Sequence, residues 1–249
     1  MNTTSNNKRS IHRVAVRLVF VFAVLYLPAA HAMVLDPTYR GFVTSNGQTS
    51  DTLSQANSYE AGFSYSSVTR RNYFYFAIPE LAAHESIIAA RLTLTGGNLN
   101  LEGATTRTVT LWDVSTDIGQ IGSAYGDLGS GTTYGSFQVS RSDPVFGITS
   151  YNTDLNAQAI SGLTAAAGGL FAIGGTLDVF NNSVSRYQVF ANTGGSSINN
   201  GQTVLSVTVV PEPSAISLLV AGLVLLAVLR VAGLKHQQCQ LTAVQVRKP

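Results

Sequence analysis

The sequence predicts a mainly β protein, a single β-sandwich or jelly-roll-like domain with at most one short helix. Three observations point there. Charged residues make up only 11% of the 249 residues, whereas soluble globular domains carry roughly 25%. Short β-branched and aromatic segments alternate with clusters of Gly, Ser and Asn, the pattern of strands bounded by turns. No strand–helix–strand rhythm runs along the chain, so a parallel α/β sheet is not expected.

In chain order the expected strands are 39–44, 59–65, 72–78, 87–95, 106–114, 134–139, 170–176, 186–191 and 203–209. Along 72–78, Phe74, Phe76 and Ile78 fall on one face, with Tyr73 and Tyr75 opposite. Leu92 and Leu94 alternate with Arg91, Thr93 and Thr95, and Val109, Leu111 and Asp113 share a face. Such alternation describes sheets with one packed and one wet side. The one expected helix starts at a cap on Thr153 or Asp154. Leu155, Ala159, Ile160 and Leu163 then recur at helical spacing before Gly168 and Gly169 end it. Gly96-Gly97 and Gly194-Gly195 read as hairpin turns, because neither has the Lys and following helix of a phosphate-binding loop.

Charge is unevenly placed. Four cations precede residue 18 (Lys8, Arg9, Arg13, Arg17) and four follow residue 229 (Arg230, Lys235, Arg247, Lys248). Residues 33–209 hold seven arginines, no lysine and twelve carboxylates, a balance of −5. Phosphate neutralisation needs clustered cations, so nucleic acid is excluded as a partner. The single cysteine, Cys239, rules out an intramolecular disulfide. His84 is the one histidine of residues 33–209, so neither a cysteine-based zinc site nor a two-histidine metal site is expected there. His84 lies in a polar loop segment and reads as a solvated loop histidine. No cofactor and no metal are expected.

The two ends read as addresses. A basic start to Arg17, an apolar run over 18–27 and the small-residue step Ala30-His31-Ala32 describe a signal peptide over 1–32, cleaved after Ala32 by signal peptidase. At the other end, Pro211-Glu212-Pro213 interrupts regular structure, and the two prolines make a stiff extended linker. An uncharged apolar run over 215–229 follows, about 22 Å long as a helix. Continued to residue 234 it reaches about 30 Å, the thickness of a bilayer core. Arg230 and Lys235 would then hold its end on the cytoplasmic side. The expected organisation is a signal peptide over 1–32, an ectodomain over 33–209, a sorting segment over 210–235 with a transmembrane helix at about 215–234, and a cytoplasmic tail over 236–249.

Val210-Pro211-Glu212-Pro213-Ser214, the apolar segment and the basic end together resemble the PEP-CTERM sorting signal of Gram-negative bacteria. The same module is also known as the C-terminal domain of ice-binding proteins. The resemblance covers about 25 residues. It implies that Pro211, Glu212 and Pro213 are recognised by exosortase, a membrane transpeptidase-like enzyme that removes the tail. Arg230 stands at the place of the family's basic cluster. The nineteen residues after Arg230 depart from a pattern in which the tail ends soon after several arginines. More loosely, residues 60–205 resemble a recurrent class of ectodomains carrying this signal, through 71–76, 88–92, 110–115, 125–135 and 170–175.

Three readings of the ectodomain follow. The first is a non-catalytic protein of the cell surface or extracellular matrix, held in the inner membrane until processed and then contacting exopolysaccharide. In it, Tyr59, Tyr65, Tyr73, Tyr75, Tyr125, Tyr134, Tyr151 and Tyr187 are candidate aromatic platforms for sugar rings. The second is a secreted glycan hydrolase using two carboxylates drawn from Glu60, Glu80, Glu85, Asp113 and Asp127. The third is ice binding, for which only Thr93-Leu94-Thr95 and Thr106-Arg107-Thr108-Val109-Thr110 offer Thr-x-Thr steps. The acidic stretch from Asp113 to Asp127 lacks the ligand register of an EF-hand loop and reads as solvated. Asn181-Asn182-Ser183 matches a glycosylation acceptor. The composition and the two ends favour the first reading, in which no residue is catalytic.

Overall fold

The computed structural model describes residues 30–50, 59–63, 68–96, 98–101, 105–143, 149–178, 187–191 and 203–212, with Leu219, Gly222, Leu223, Leu226 and Arg230. Ala30–Val210 forms one compact unit, and it is mainly β. Its strands are β1 (His31–Leu35), β2 (Pro37–Thr44), β3 (Ala61–Phe63), β4 (Thr69–Ala77), β5 (Glu85–Gly96), β6 (Asn98–Leu101), β7 (Thr106–Asp113), β8 (Thr133–Ser140), β9 (Thr149–Asp154), β10 (Leu170–Leu177), β11 (Tyr187–Ala191) and β12 (Thr203–Pro211). A helix, α1 (Ala157–Ala165), lies between β9 and β10, and two 3-10 turns, Ile118–Ser123 and Asp127–Gly129, lie between β7 and β8.

The strands make two antiparallel sheets. Four strands run in the order β1-β12-β5-β9; the larger sheet runs β6-β11-β3-β4-β10-β7-β8, with β2 also paired to β4. Leu92 and Leu94 of β5 and Leu205, Val207 and Val209 of β12 enter one apolar cluster with Phe74, Phe76, Val109, Leu111, Val139 and Ile173 of the larger sheet. Both sheets therefore contribute alternate residues to a shared core, as the sequence alternation predicts. β5, which ends at Gly96, and β6, which starts at Asn98, belong to different sheets and do not form the hairpin expected at Gly96-Gly97; Gly97 itself lies outside the described residues. Gly194-Gly195 lies outside the described residues.

The larger sheet departs from the one-wet-face expectation. Tyr73 and Tyr75, on the face of β4 opposite Phe74 and Phe76, are also buried, in a second cluster with Val43, Ile121, Ala124, Leu128 and Ala172. The 3-10 segment supplies three of these residues. Gly174 of β10 makes room for it, since a Cβ there would come within 2.7 Å of the Leu128 carbonyl oxygen. The Tyr75 hydroxyl donates to the Thr116 carbonyl at 2.5 Å and ties the segment's approach to the sheet.

The helix begins later than its sequence suggests. Thr153 and Asp154 stay in β9, paired with Leu92 and Arg91, so neither caps it. Asn156 does, accepting from the Ala159 amide at 3.1 Å. Ala159 and Leu163 are buried, and Gly168, with φ of +77°, takes the left-handed turn that returns the chain to β10.

Candidate functional site

Two of the residues singled out for processing, Ala32 and Pro211, lie on one strand pair. β1 and β12 are antiparallel, with His31 opposite Val209, Ala32 opposite Thr208, Met33 opposite Val207, Val34 opposite Ser206 and Leu35 opposite Leu205. Ala30 precedes β1 and is exposed; Ala32 lies within β1 and is exposed as well. Pro211 is the last residue of β12, and Glu212 follows it, exposed. The boundaries expected after Ala32 and after Val209 therefore fall on adjacent, paired strands. Pro213 and Lys235 lie outside the described residues, as do most of 215–234, Asn181 to Ser183 and Cys239. Within the C-terminal segment, Leu219, Gly222, Leu223, Leu226 and Arg230 are helical and exposed. Their i, i+3, i+4, i+7 spacing puts the three leucines on one stripe. Among the described residues, no helix is long and apolar enough to cross a membrane.

The candidate aromatic platforms are mostly unavailable. Tyr59, Tyr73, Tyr75 and Tyr134 are buried, because a β-sheet with both faces covered uses its tyrosines as core. Burial pushes the Tyr59 phenol up to about 12, and its hydroxyl donates to the Thr95 carbonyl. Tyr151 stacks on Phe137 at 5.4 Å and donates to Asp143 at 2.7 Å. Tyr125 has the Arg71 guanidinium 4.3 Å over its ring. Tyr65 lies outside the described residues.

The carboxylates act mainly as local clamps. Glu60 pairs with Arg70. Glu85 accepts the Ala82 amide at 2.9 Å, Asp113 the Thr132 amide at 2.6 Å, Asp143 the Ser140 amide at 2.7 Å and Asp178 the Thr108 amide at 2.7 Å. Asp127 accepts the amides of Ser115 at 2.9 Å and Thr116 at 2.8 Å, and the Thr116 hydroxyl at 2.7 Å. Burial alone would raise the Asp127 carboxyl, but these bonds outweigh it and hold its pKa below the ordinary value. Glu80 lies against Gly168. His84 sits at a turn with φ of +74° and is exposed. Among the described residues no three His, Cys, Asp or Glu side chains group to hold a metal.

Asp127 therefore supports a direct expectation. Asp127→Ala leaves the Ser115 and Thr116 amides without their acceptor, and should cost about 1 kcal/mol at this partly exposed position. Because the folded-state pKa is depressed, that contribution is present above the unfolded value of about 3.9 and disappears as pH falls through the folded value. Urea unfolding at pH 7 and pH 3 checks this: the gap between wild type and variant should narrow at the lower pH.

The sequence pattern marks Arg91, Thr93 and Thr95 as a wet face, but not the strand that completes it. On the outer side of β5 and β9, Arg91 donates to Asp154 at 2.6 and 3.1 Å, the Thr93 hydroxyl donates to Asn152 at 2.7 Å, and the Thr95 and Ser150 hydroxyls lie 3.1 Å apart. The pairs are in direct register, with Arg91, Ser150, Asn152 and Asp154 exposed and Thr93 and Thr95 half-buried. The signal was hidden because β9, Thr-Ser-Tyr-Asn-Thr-Asp, is too polar to read as a strand by hydrophobic pattern. Arg91 holds the Asp154 carboxyl below its ordinary pKa.

Comparison with known proteins adds little. No family model matches the chain, and no curated protein matches it. A solved structure of a candidate glycoside hydrolase from Bacteroides vulgatus ATCC 8482 is 12% identical over 59% of this chain, with a TM-score of 0.19. The chain spans 65% of that structure, just under two thirds of its length. A likeness of that degree establishes neither fold nor activity.

Proposed function

We propose that this chain is an exported, exosortase-sorted protein of the cell surface or extracellular matrix, whose β-sandwich ectodomain contacts exopolysaccharide without catalysis. The observation that carries the reading is Pro211-Glu212-Pro213 placed directly at the end of the last strand, ahead of an apolar segment and Arg230. The exposed Glu212 and the leucine stripe at 219, 223 and 226 support it. A bilayer would cover such a stripe before the tail is removed. In this reading signal peptidase and exosortase are the processing partners.

The polar ladder on β5 and β9 is the surface offered to polysaccharide. Its guanidinium, hydroxyl, amide and carboxylate groups pair in register across the two strands on the outer face. Among the described residues, seven carboxylates already clamp turns, strand ends or cations. The test uses the secreted protein and the extracellular polysaccharide of the producing cells. Retention on immobilised polysaccharide, lost on Thr93→Ala with Asn152→Ala and unaccompanied by sugar release, is expected. Release of reducing ends, abolished by one Asp or Glu substitution, would overturn the reading in favour of a hydrolase.

A further inference from the structure

We propose that removal of the N-terminal segment licenses removal of the C-terminal one, through the pairing of β1 with β12. The inference rests on the sorting reading above and assigns that site a regulation. With His31 to Leu35 in place, β12 has β1 on one side and β5 on the other. It is an interior strand to within two residues of Pro211.

Cleavage after Ala32 changes this edge selectively. Met33, Val34 and Leu35 keep their places opposite Val207, Ser206 and Leu205, so β12 stays anchored and the apolar core is undisturbed. Thr208 and Val209 lose Ala32 and His31, the residues opposite them. The end of β12 becomes a bare edge leading straight into Pro211 and Glu212. An enzyme that grips its substrate as an extended segment does so by adding a strand to free backbone groups. Pro211 supplies no N–H, so the residues before it must provide that grip. While β1 runs its full length they are engaged, and antiparallel partners sit only about 5 Å apart, which also crowds the approach. Nothing in the side chains opposes the exchange, since Ala32 is exposed and Val34 is 68% exposed.

The order of processing follows: N-terminal cleavage first, tail removal second. Intact mass spectrometry of three full-length chains in their producing cells tests it. In the wild type both segments are lost. In Ala30→Leu with Ala32→Leu, bulky residues at the small-residue step block signal peptidase, and the tail is retained although Pro211-Glu212-Pro213 is unaltered. Adding a six-residue Gly/Ser spacer between Val210 and Pro211 moves the motif up to roughly 20 Å from the paired edge and restores tail removal with the N-terminal segment still attached. Tail loss in the blocked variant, or tail retention in the spacer variant, overturns the inference while leaving the sorting reading intact. Tail retention in the wild type overturns the sorting reading itself, and the inference with it.

Discussion

Pro211→Ala, Glu212→Ala and Pro213→Ala together should abolish the tail-free form while leaving the folded domain unchanged. Glu212 is exposed and Pro211 ends β12, beyond its last pairing with β1 at Val209. Surface substitutions of this kind change stability by about 0.5 kcal/mol or less. Any effect must then come from recognition. The prolines hold the linker extended and the carboxylate is its one charge, so all three features disappear at once. The readout is the C-terminal mass of the protein from the membrane and medium fractions together: the tail through Pro249 should be retained in the variant and lost from the wild type. Equal loss in both would show that the motif is not what the processing enzyme reads.

The second large effect lies in the core. Phe74→Ala should destabilise the domain by about 3–5 kcal/mol, a substantial part of the 5–15 kcal/mol typical of a domain. Phe74 is fully buried on β4, the strand paired with β2, β3 and β10. Its ring meets Tyr59 edge-on at 5.3 Å, and Tyr59 in turn stacks on Phe190 at 5.5 Å. The cavity would therefore open among rings that cannot collapse into it without losing their own contacts. Thermal unfolding measures the cost, with Thr93→Ala on the exposed ladder as a control expected to shift stability by about 0.5 kcal/mol or less. Equal effects of the two substitutions would contradict a single core shared by both sheets.

Where hydrophobic alternation is strong, the strands were legible from the sequence. β5 and β10 contain their expected segments, β4 and β7 fall one residue short of theirs at Ile78 and Val114, and Phe74, Phe76, Leu92, Leu94 and Leu111 are buried as their periodicity requires. Three strands were missed for different physical reasons. β1 overlaps the end of the segment read as a signal peptide. β6, Asn-Leu-Asn-Leu, has only four residues. β9 carries Tyr151 and Thr153 as its inward positions, too few apolar groups to announce a strand.

The covered outer face of β4 was the larger omission. Tyr73 and Tyr75 alternate with Phe74 and Phe76, and amphipathic tyrosine on a sheet reads as a half-wet surface. What buries them is a segment of 3-10 turns with no periodicity of its own, held by Asp127 and admitted by Gly174. Only the distance relations among Ser115, Asp127 and β10 reveal it. The same fact removes Tyr73 and Tyr75 from consideration as sugar platforms, as the core shared by the two sheets removes Tyr59 and Tyr134, and moves attention to the ladder on β5 and β9. The pairing of His31 and Ala32 with Val209 and Thr208 was equally hidden, because it joins residues more than 170 positions apart in sequence.

The central claim is that the chain is exported and trimmed at both ends. The direct measurement is the intact mass of the native protein from separated membrane and culture-medium fractions. A species in the medium beginning at Met33 and ending within Pro211–Pro213 is the predicted result. A species confined to the membrane fraction and complete through Pro249 would contradict it.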